Sequence, residues 1–92
     1  SEDNIYEIME HELKNVLQYG ENDEIDPYQS LTELGIDSIM MMELRTIMRT
    51  ATGINIPLVV FSTQNICLYR LVEYVKSKMV NEKKEEADAK TP

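Results

Sequence analysis

The sequence predicts an all-α fold: a small three-to-four-helix bundle with a long loop between the first and second helices. Three observations carry the prediction. Apolar residues recur every three or four positions in three separate stretches, the spacing that lines one face of a helix. Only three Gly and three Pro occur in 92 residues, too few for a turn-rich β architecture. The single stretch of β-like composition, INIPLVVFST from Ile54 to Thr63, is isolated, and a strand with no partner leaves its backbone groups unsatisfied.

The first helix is IYEIMEHELKNVLQYG. Ile5, Met9, Leu13 and Val16 form its apolar stripe, with Ile8 and Leu17 widening it; Asp3 or Asn4 caps the start and Gly20 is placed as the stop. The segment that follows, ENDEIDPYQSLTELGI, is long for a helix–helix connection, so it should bury something; Ile25, Leu31, Leu34 and Ile36 are the residues able to pin it to the bundle. The second helix starts at Asp37–Ser38 and runs to about Thr52, where Gly53 ends it. Met41, Leu44, Met48 and Ala51 face inward with Ile47 beside them, and Met40 falls between stripes. INIPLVVFST then reads as an apolar crossover with room for a short helix. The last helix carries Leu68, Leu71, Val72, Val75 and Met79 on one face; Ser62, Thr63 and Asn65 are equally placed to cap it, and Cys67 is expected as a small buried residue within it.

Composition sets limits on function. The formal charge of −8, from nine Lys+Arg against seventeen Asp+Glu, argues against a nucleic-acid partner. No apolar run approaches a membrane span and no signal-peptide pattern opens the chain, so no membrane partner is expected and the default compartment is cytoplasmic. One Cys and one His make neither a disulfide framework nor a metal-ligand set. The tail NEKKEEADAKTP has no large apolar residue to repay the entropy of ordering. The expected organisation is a linker over residues 1–3, one domain over 4–80, monomeric in isolation, and a flexible linker or frayed helix end over 81–92. Polar flanks of this kind suggest a domain cut from a longer polypeptide.

The most sharply defined polar position is Ser38, in LGIDSIMMMEL. A nucleophilic serine needs a base within hydrogen-bond reach, oriented by a third group. The only His, His11, lies on the outward side of the first helix, so no catalytic residue is expected. A serine acted upon is a different matter. Ser38 sits where a loop becomes a helix, and the free N–H groups and partial positive charge there favour an attached phosphate. The plainer reading is that Asp37 or Ser38 merely caps the helix, for about 1 kcal/mol, in a helical protein-interaction module.

The longer pattern decides between them. LTELGIDSIMMMELRTIMRTATGINIP resembles the central motif of acyl carrier proteins, most closely the carrier domains of modular polyketide synthases. The matching elements are Leu34–Gly35–Ile36–Asp37–Ser38, Glu43–Leu44–Arg45, Ala51–Thr52–Gly53 and Ile56–Pro57, with Ile25–Asp26–Pro27 and Leu31 upstream. The resemblance covers most of Ile5 to Val80 and implies the acyl-carrier type of bundle. It also implies that a phosphopantetheinyl transferase moves phosphopantetheine from coenzyme A onto the Ser38 oxygen. The arm's thiol then presents acyl thioesters to an acyltransferase, a ketosynthase and other synthase domains, in polyketide or related fatty-acid biosynthesis, with no catalysis by the carrier itself.

Ile39 stands where the family more often has Leu. Ile36, rather than the Gly usual in peptidyl carriers, favours acyl cargo, although a peptidyl or standalone acyl carrier is the alternative within the class. Absence of Trp argues against the tryptophan-marked carriers associated with β-branching. VVFSTQNICLYRL lacks the family's usual Pro-Thr before the last helix, so correspondences weaken beyond Phe61. Partner faces in this family lie along the helix beside the serine. Asp37, Ile39, Met42, Glu43, Thr46 and Arg49 are therefore the expected interface. Between Ser38 and Gly53 only Glu43, Arg45 and Arg49 are charged, which implies weak electrostatic steering and reliance on tethering.

Overall fold

In the computed structural model the bundle is laid out as α1 (Ile5–Leu17), α2 (Leu31–Leu34), α3 (Ser38–Thr52), α4 (Leu58–Phe61) and α5 (Leu68–Ala89). The structure describes residues 4–89, with side chains through residue 81; the linker expected at 1–3, Asp3 as a cap, and residues 90–92 of the flexible linker or frayed helix end expected at 81–92 lie outside the described residues, while 81–89 continue α5. Among the described residues three helices are long and two are single turns, with no strand. α1 packs chiefly on α3 and then on α5. Met9 and Leu13 of α1, Leu44 and Met48 of α3, and Leu71 and Val75 of α5 are each fully buried at that junction. Each such side chain contributes about 1.5–3 kcal/mol relative to leaving it in water.

α3 has the limits expected from sequence. The Asp37 carboxylate accepts from the Met40 N–H at 2.8 Å, and Gly53 ends the helix at φ 77°, its N–H returning to the Arg49 carbonyl at 2.8 Å. Leu44 and Met48 are buried, while Met41, Ile47 and Ala51 are only half-buried; Met40 packs partly against the core.

Elsewhere the helix ends differ from expectation. α1 stops at Leu17, not at Gly20: Gln18 takes the left-handed conformation (φ 60°), and the N–H groups of Gln18 and Tyr19 bond the Asn15 and Lys14 carbonyls at 3.1 and 2.9 Å. Those two bonds satisfy last-turn carbonyls and offset the steric cost of a side chain at positive φ. Gly20 instead opens a tight turn, its N–H donating to Asp23 Oδ2 at 2.7 Å. Asn4 holds the N-cap position of α1 without a side-chain capping bond.

The long first loop condenses around α2, with Ile25, Leu31 and Ile36 buried and Leu34 half-buried. Ser30 caps this turn, its Oγ accepting from the Glu33 N–H at 3.1 Å, and Gly35 ends it at φ 109°. None of Ser62, Thr63 or Asn65 caps α5, because all three fall in the turn before it. The orphan Tyr69 N–H of α5 is satisfied from the first loop, by the Pro27 carbonyl at 2.9 Å. Cys67 is buried as expected but precedes α5 rather than lying in it, forming an isolated antiparallel bridge with Ser30. Beside that bridge the Leu31 N–H reaches the Ile66 carbonyl at 2.9 Å, which fastens α2 to the run-in of α5.

Candidate functional site

Ser38 is the first residue of α3, and its position follows from the local chain. Gly35 at positive φ turns the backbone out of α2, Ile36 anchors the next residue in the core, and Asp37 caps α3. Capping by Asp37 has a consequence for its neighbour. Ser38 is exposed, and its hydroxyl has no hydrogen-bond partner among the described residues. The Ser38 and Ile39 N–H groups, in the first turn, have no intrahelical acceptor and carry the positive end of the helix dipole. A hydroxyl free of structural duty therefore sits on a surface suited to an anion.

Beside it opens a cleft of about 480 Å³, lined by Ser38 with Ile36, Met41 and Met42 on one side and Leu58 and Phe61 of α4 on the other. α4 is held there by Arg45, which donates Nε to the Ile56 carbonyl at 2.8 Å and Nη2 to Asn55 Oδ1 at 3.4 Å. His11 does not line this cleft; it is exposed on α1, 3.6 Å from the Glu21 carboxylate. Among the described residues no group of three His, Cys, Asp or Glu side chains is placed to hold a metal, and no helix is long and apolar enough to cross a membrane.

The residues expected at an interface are all on the surface. Ile39 is 73% exposed and Met42 48%, and Glu43, Thr46 and Arg49 continue along the open side of α3. Thr46 turns toward α1, lining a separate depression with Glu12 and Thr50, while its hydroxyl donates to the Met42 carbonyl at 3.2 Å. Sequence reasoning missed the α4 contribution: Leu58 and Val59 are 47% and 73% exposed, and Leu58 faces Met42 across the cleft. Arg45 was legible only as part of a motif; its structural work, joining α3 to the segment before α4, was not.

The family model described as phosphopantetheine attachment site matches residues 7–75. The chain belongs to this family. Its prosthetic group is phosphopantetheine, covalently attached. The residues at the start of α3 fit such a group, offering an unengaged hydroxyl, free amide N–H groups for a phosphodiester and an adjoining cleft. Two similar proteins are the hispidin synthase of Neonothopanus nambi, 35% identical over 60 residues, and the 6-methylsalicylic acid synthase of Aspergillus terreus, 40% identical over 45. Those matches take in 65% and 49% of this chain but only 4% and 2% of the synthases. No solved structure matches the chain significantly.

Proposed function

We propose that this chain is an acyl carrier domain of a polyketide synthase, with Ser38 as the attachment point of phosphopantetheine. The observation that carries the reading is the division of labour at the start of α3: Asp37 satisfies the helix cap, which leaves the Ser38 hydroxyl exposed and unengaged. A phosphopantetheinyl transferase supplies the chemistry. The Ser38 oxygen bonds to the phosphorus of coenzyme A that bears the pantetheine, the pyrophosphate bond breaks, and adenosine 3′,5′-bisphosphate leaves. The resulting phosphodiester lies against the N-terminal amides of α3, and the arm's thiol carries acyl groups as thioesters.

The polyketide setting draws on the motif around Ser38, on Ile36 two residues before it, and on the two similar synthases. The domain spans residues 4–80, flanked by a linker at 1–3 and by a flexible linker or frayed end of α5 at 81–92 within a multifunctional synthase, and is monomeric when isolated. Its coenzyme A donor favours the cytoplasm. The partner face comprises Asp37, Ile39, Met42, Glu43, Thr46 and Arg49, extended by Leu58 and Val59; acyltransferase, ketosynthase and other synthase domains meet it there. Intact mass spectrometry after incubation with coenzyme A and a promiscuous transferase tests the proposal. The expected result is a gain of one phosphopantetheine by the wild-type chain and none by Ser38→Ala; an unchanged wild-type mass would leave a helical interaction module as the reading.

A further inference from the structure

Three tyrosines from three separate segments come together away from Ser38. Tyr28 of the first loop and Tyr69 at the start of α5 bring their ring centroids within 5.0 Å, at a tilt of 36°. Tyr6 of α1 stands close by: burial and then the Glu10 carboxylate raise its phenol above the ordinary 10.0, and Tyr28 and Asp26 are near enough to push it the same way. None of the three lines the cleft beside Ser38.

Packing alone does not account for the pair. The loop is already fastened to α5 by the Tyr69 N–H on the Pro27 carbonyl, and Ile25 is its buried anchor. Tyr28 nevertheless keeps 69% of its surface in solvent and Tyr69 42%. The charge around them is one-sided. Between Lys14 and Arg45 the chain has seven acidic residues and no Lys or Arg. Asp26 uses one carboxylate oxygen to accept from the Tyr28 N–H at 2.9 Å and has no ion pair among the described residues. Glu73 is exposed one turn along α5 from Tyr69, on the same side of the helix, whereas Arg70 is turned about 100° around it. Farther along α5, Lys78 sits over the Tyr74 ring at 5.6 Å, so that ring takes its cation from its own helix. Among the described residues no cation covers Tyr28 or Tyr69.

We propose that Tyr28 and Tyr69, flanked by Tyr6, Asp26 and Glu73, form a second docking face, and that its occupant is an arginine-bearing segment of a protein partner. A guanidinium is flat and weakly hydrated, so it stacks on a tyrosine face while its N–H groups reach the carboxylates alongside. The acid-rich loop draws such a segment in and repels nucleic acid and anionic lipid. Ser38 takes no part, so the face serves the bare chain as well as a loaded one.

The test titrates the isotope-labelled chain with a blocked pentapeptide carrying two arginines, and with its counterpart in which citrulline, similar in shape but uncharged, replaces both. Binding is followed by amide NMR. Expected are shift changes centred on Tyr6, Tyr28 and Tyr69, and roughly fivefold tighter binding of the arginine peptide. Tyr28→Leu keeps an apolar side chain and Asp26→Asn keeps the acceptor for the Tyr28 N–H. Each should weaken binding about two- to threefold while amide shifts elsewhere show the fold intact. Ser38→Ala should bind as wild type does. Equal binding of the two peptides, preference for a neutral proline-rich peptide, or changes spread evenly over Glu21–Glu24, Glu33 and Asp37 would overturn the proposal, as would unchanged binding by Tyr28→Leu.

Discussion

Asp37 and Ser38 stand side by side, and the structure gives them separable duties that substitution can exchange for numbers. Asp37→Ala removes the carboxylate that accepts from the Met40 N–H at 2.8 Å. Loss of such a cap costs about 1 kcal/mol. The same carboxylate also faces the positive end of the α3 dipole, a further contribution of roughly 0.3–1 kcal/mol. Asp37→Asn separates the two, since it retains the acceptor oxygen and loses only the charge. Ser38→Ala should behave differently: the hydroxyl is exposed and unpartnered, so the change stays within about 0.5 kcal/mol of wild type. For a domain of this size each 1 kcal/mol moves the midpoint by roughly 4–8 °C. Thermal melts followed by circular dichroism should therefore order the proteins as Ser38→Ala close to wild type, then Asp37→Asn, then Asp37→Ala lowest. A melt of Ser38→Ala as low as that of Asp37→Ala would show that the serine is the cap, and the reasoning that frees its hydroxyl would fail.

Four further outcomes are expected. Arg45→Met keeps the aliphatic stem but removes the charged donor to the Ile56 carbonyl, which costs about 2 kcal/mol and speeds hydrogen exchange in Leu58–Phe61 over that of α1. Gly35→Ala, at φ 109°, should destabilise by about 2 kcal/mol in urea titrations, and Gly53→Ala, at φ 77° and nearer the left-handed well, by about 1 kcal/mol, although a new Cβ meets no atom at either site. Burial and then the neighbouring Glu10 carboxylate raise the Tyr6 phenol above its ordinary 10.0, so the folded state favours the proton. This stabilisation is whole below pH 10 and lost as pH climbs above it, and a stability profile in which Tyr6→Phe loses less than wild type over that range is the check. Raising salt should slow loading by a partner synthase domain only slightly, because α3 offers few charges for steering; a steep loss at moderate ionic strength would contradict this.

Legibility tracked the range of the interactions involved. α3 was readable nearly to the residue because its cap, its stripe and its terminal glycine are all local: Asp37 reaches Met40, and Gly53 reaches back to Arg49. The start of α5 was not, because the Tyr69 N–H is satisfied by Pro27, some forty residues away, and no polar side chain near the helix announces it. The end of α1 was misplaced for a related reason. The sequence offers Gly20, yet two backbone bonds to Asn15 and Lys14 hold Gln18 left-handed two residues earlier. α2 and α4 are single turns of four residues, shorter than the period needed to reveal a face. In LVVF every residue is apolar, so nothing local says that Phe61 is buried while Leu58 and Val59 are exposed. The candidate site was thus legible where it follows the chain, along α3, and invisible where α4 completes it.

That missing half changes how the site should be pictured. α3 alone would give the serine a convex, nearly neutral ridge. With α4 fixed against it through Arg45, the ridge becomes one wall of a cleft lined in part by Met42 and Leu58, while Ile39 on α3 and Val59 on α4 are exposed. Four exposed apolar side chains on α3 and α4 make far less than a stable interface, and association costs several kcal/mol before any contact shows as affinity. Contacts of this size favour brief docking over tight binding, which suits the proposed carrier role. Tethering within one polypeptide can raise the effective concentration to the millimolar range, so weak contact is sufficient for encounter. The rigid parts of the site then serve geometry rather than affinity: the Asp37 cap fixes where the serine oxygen points, and Arg45 fixes the far wall of the cleft it opens into.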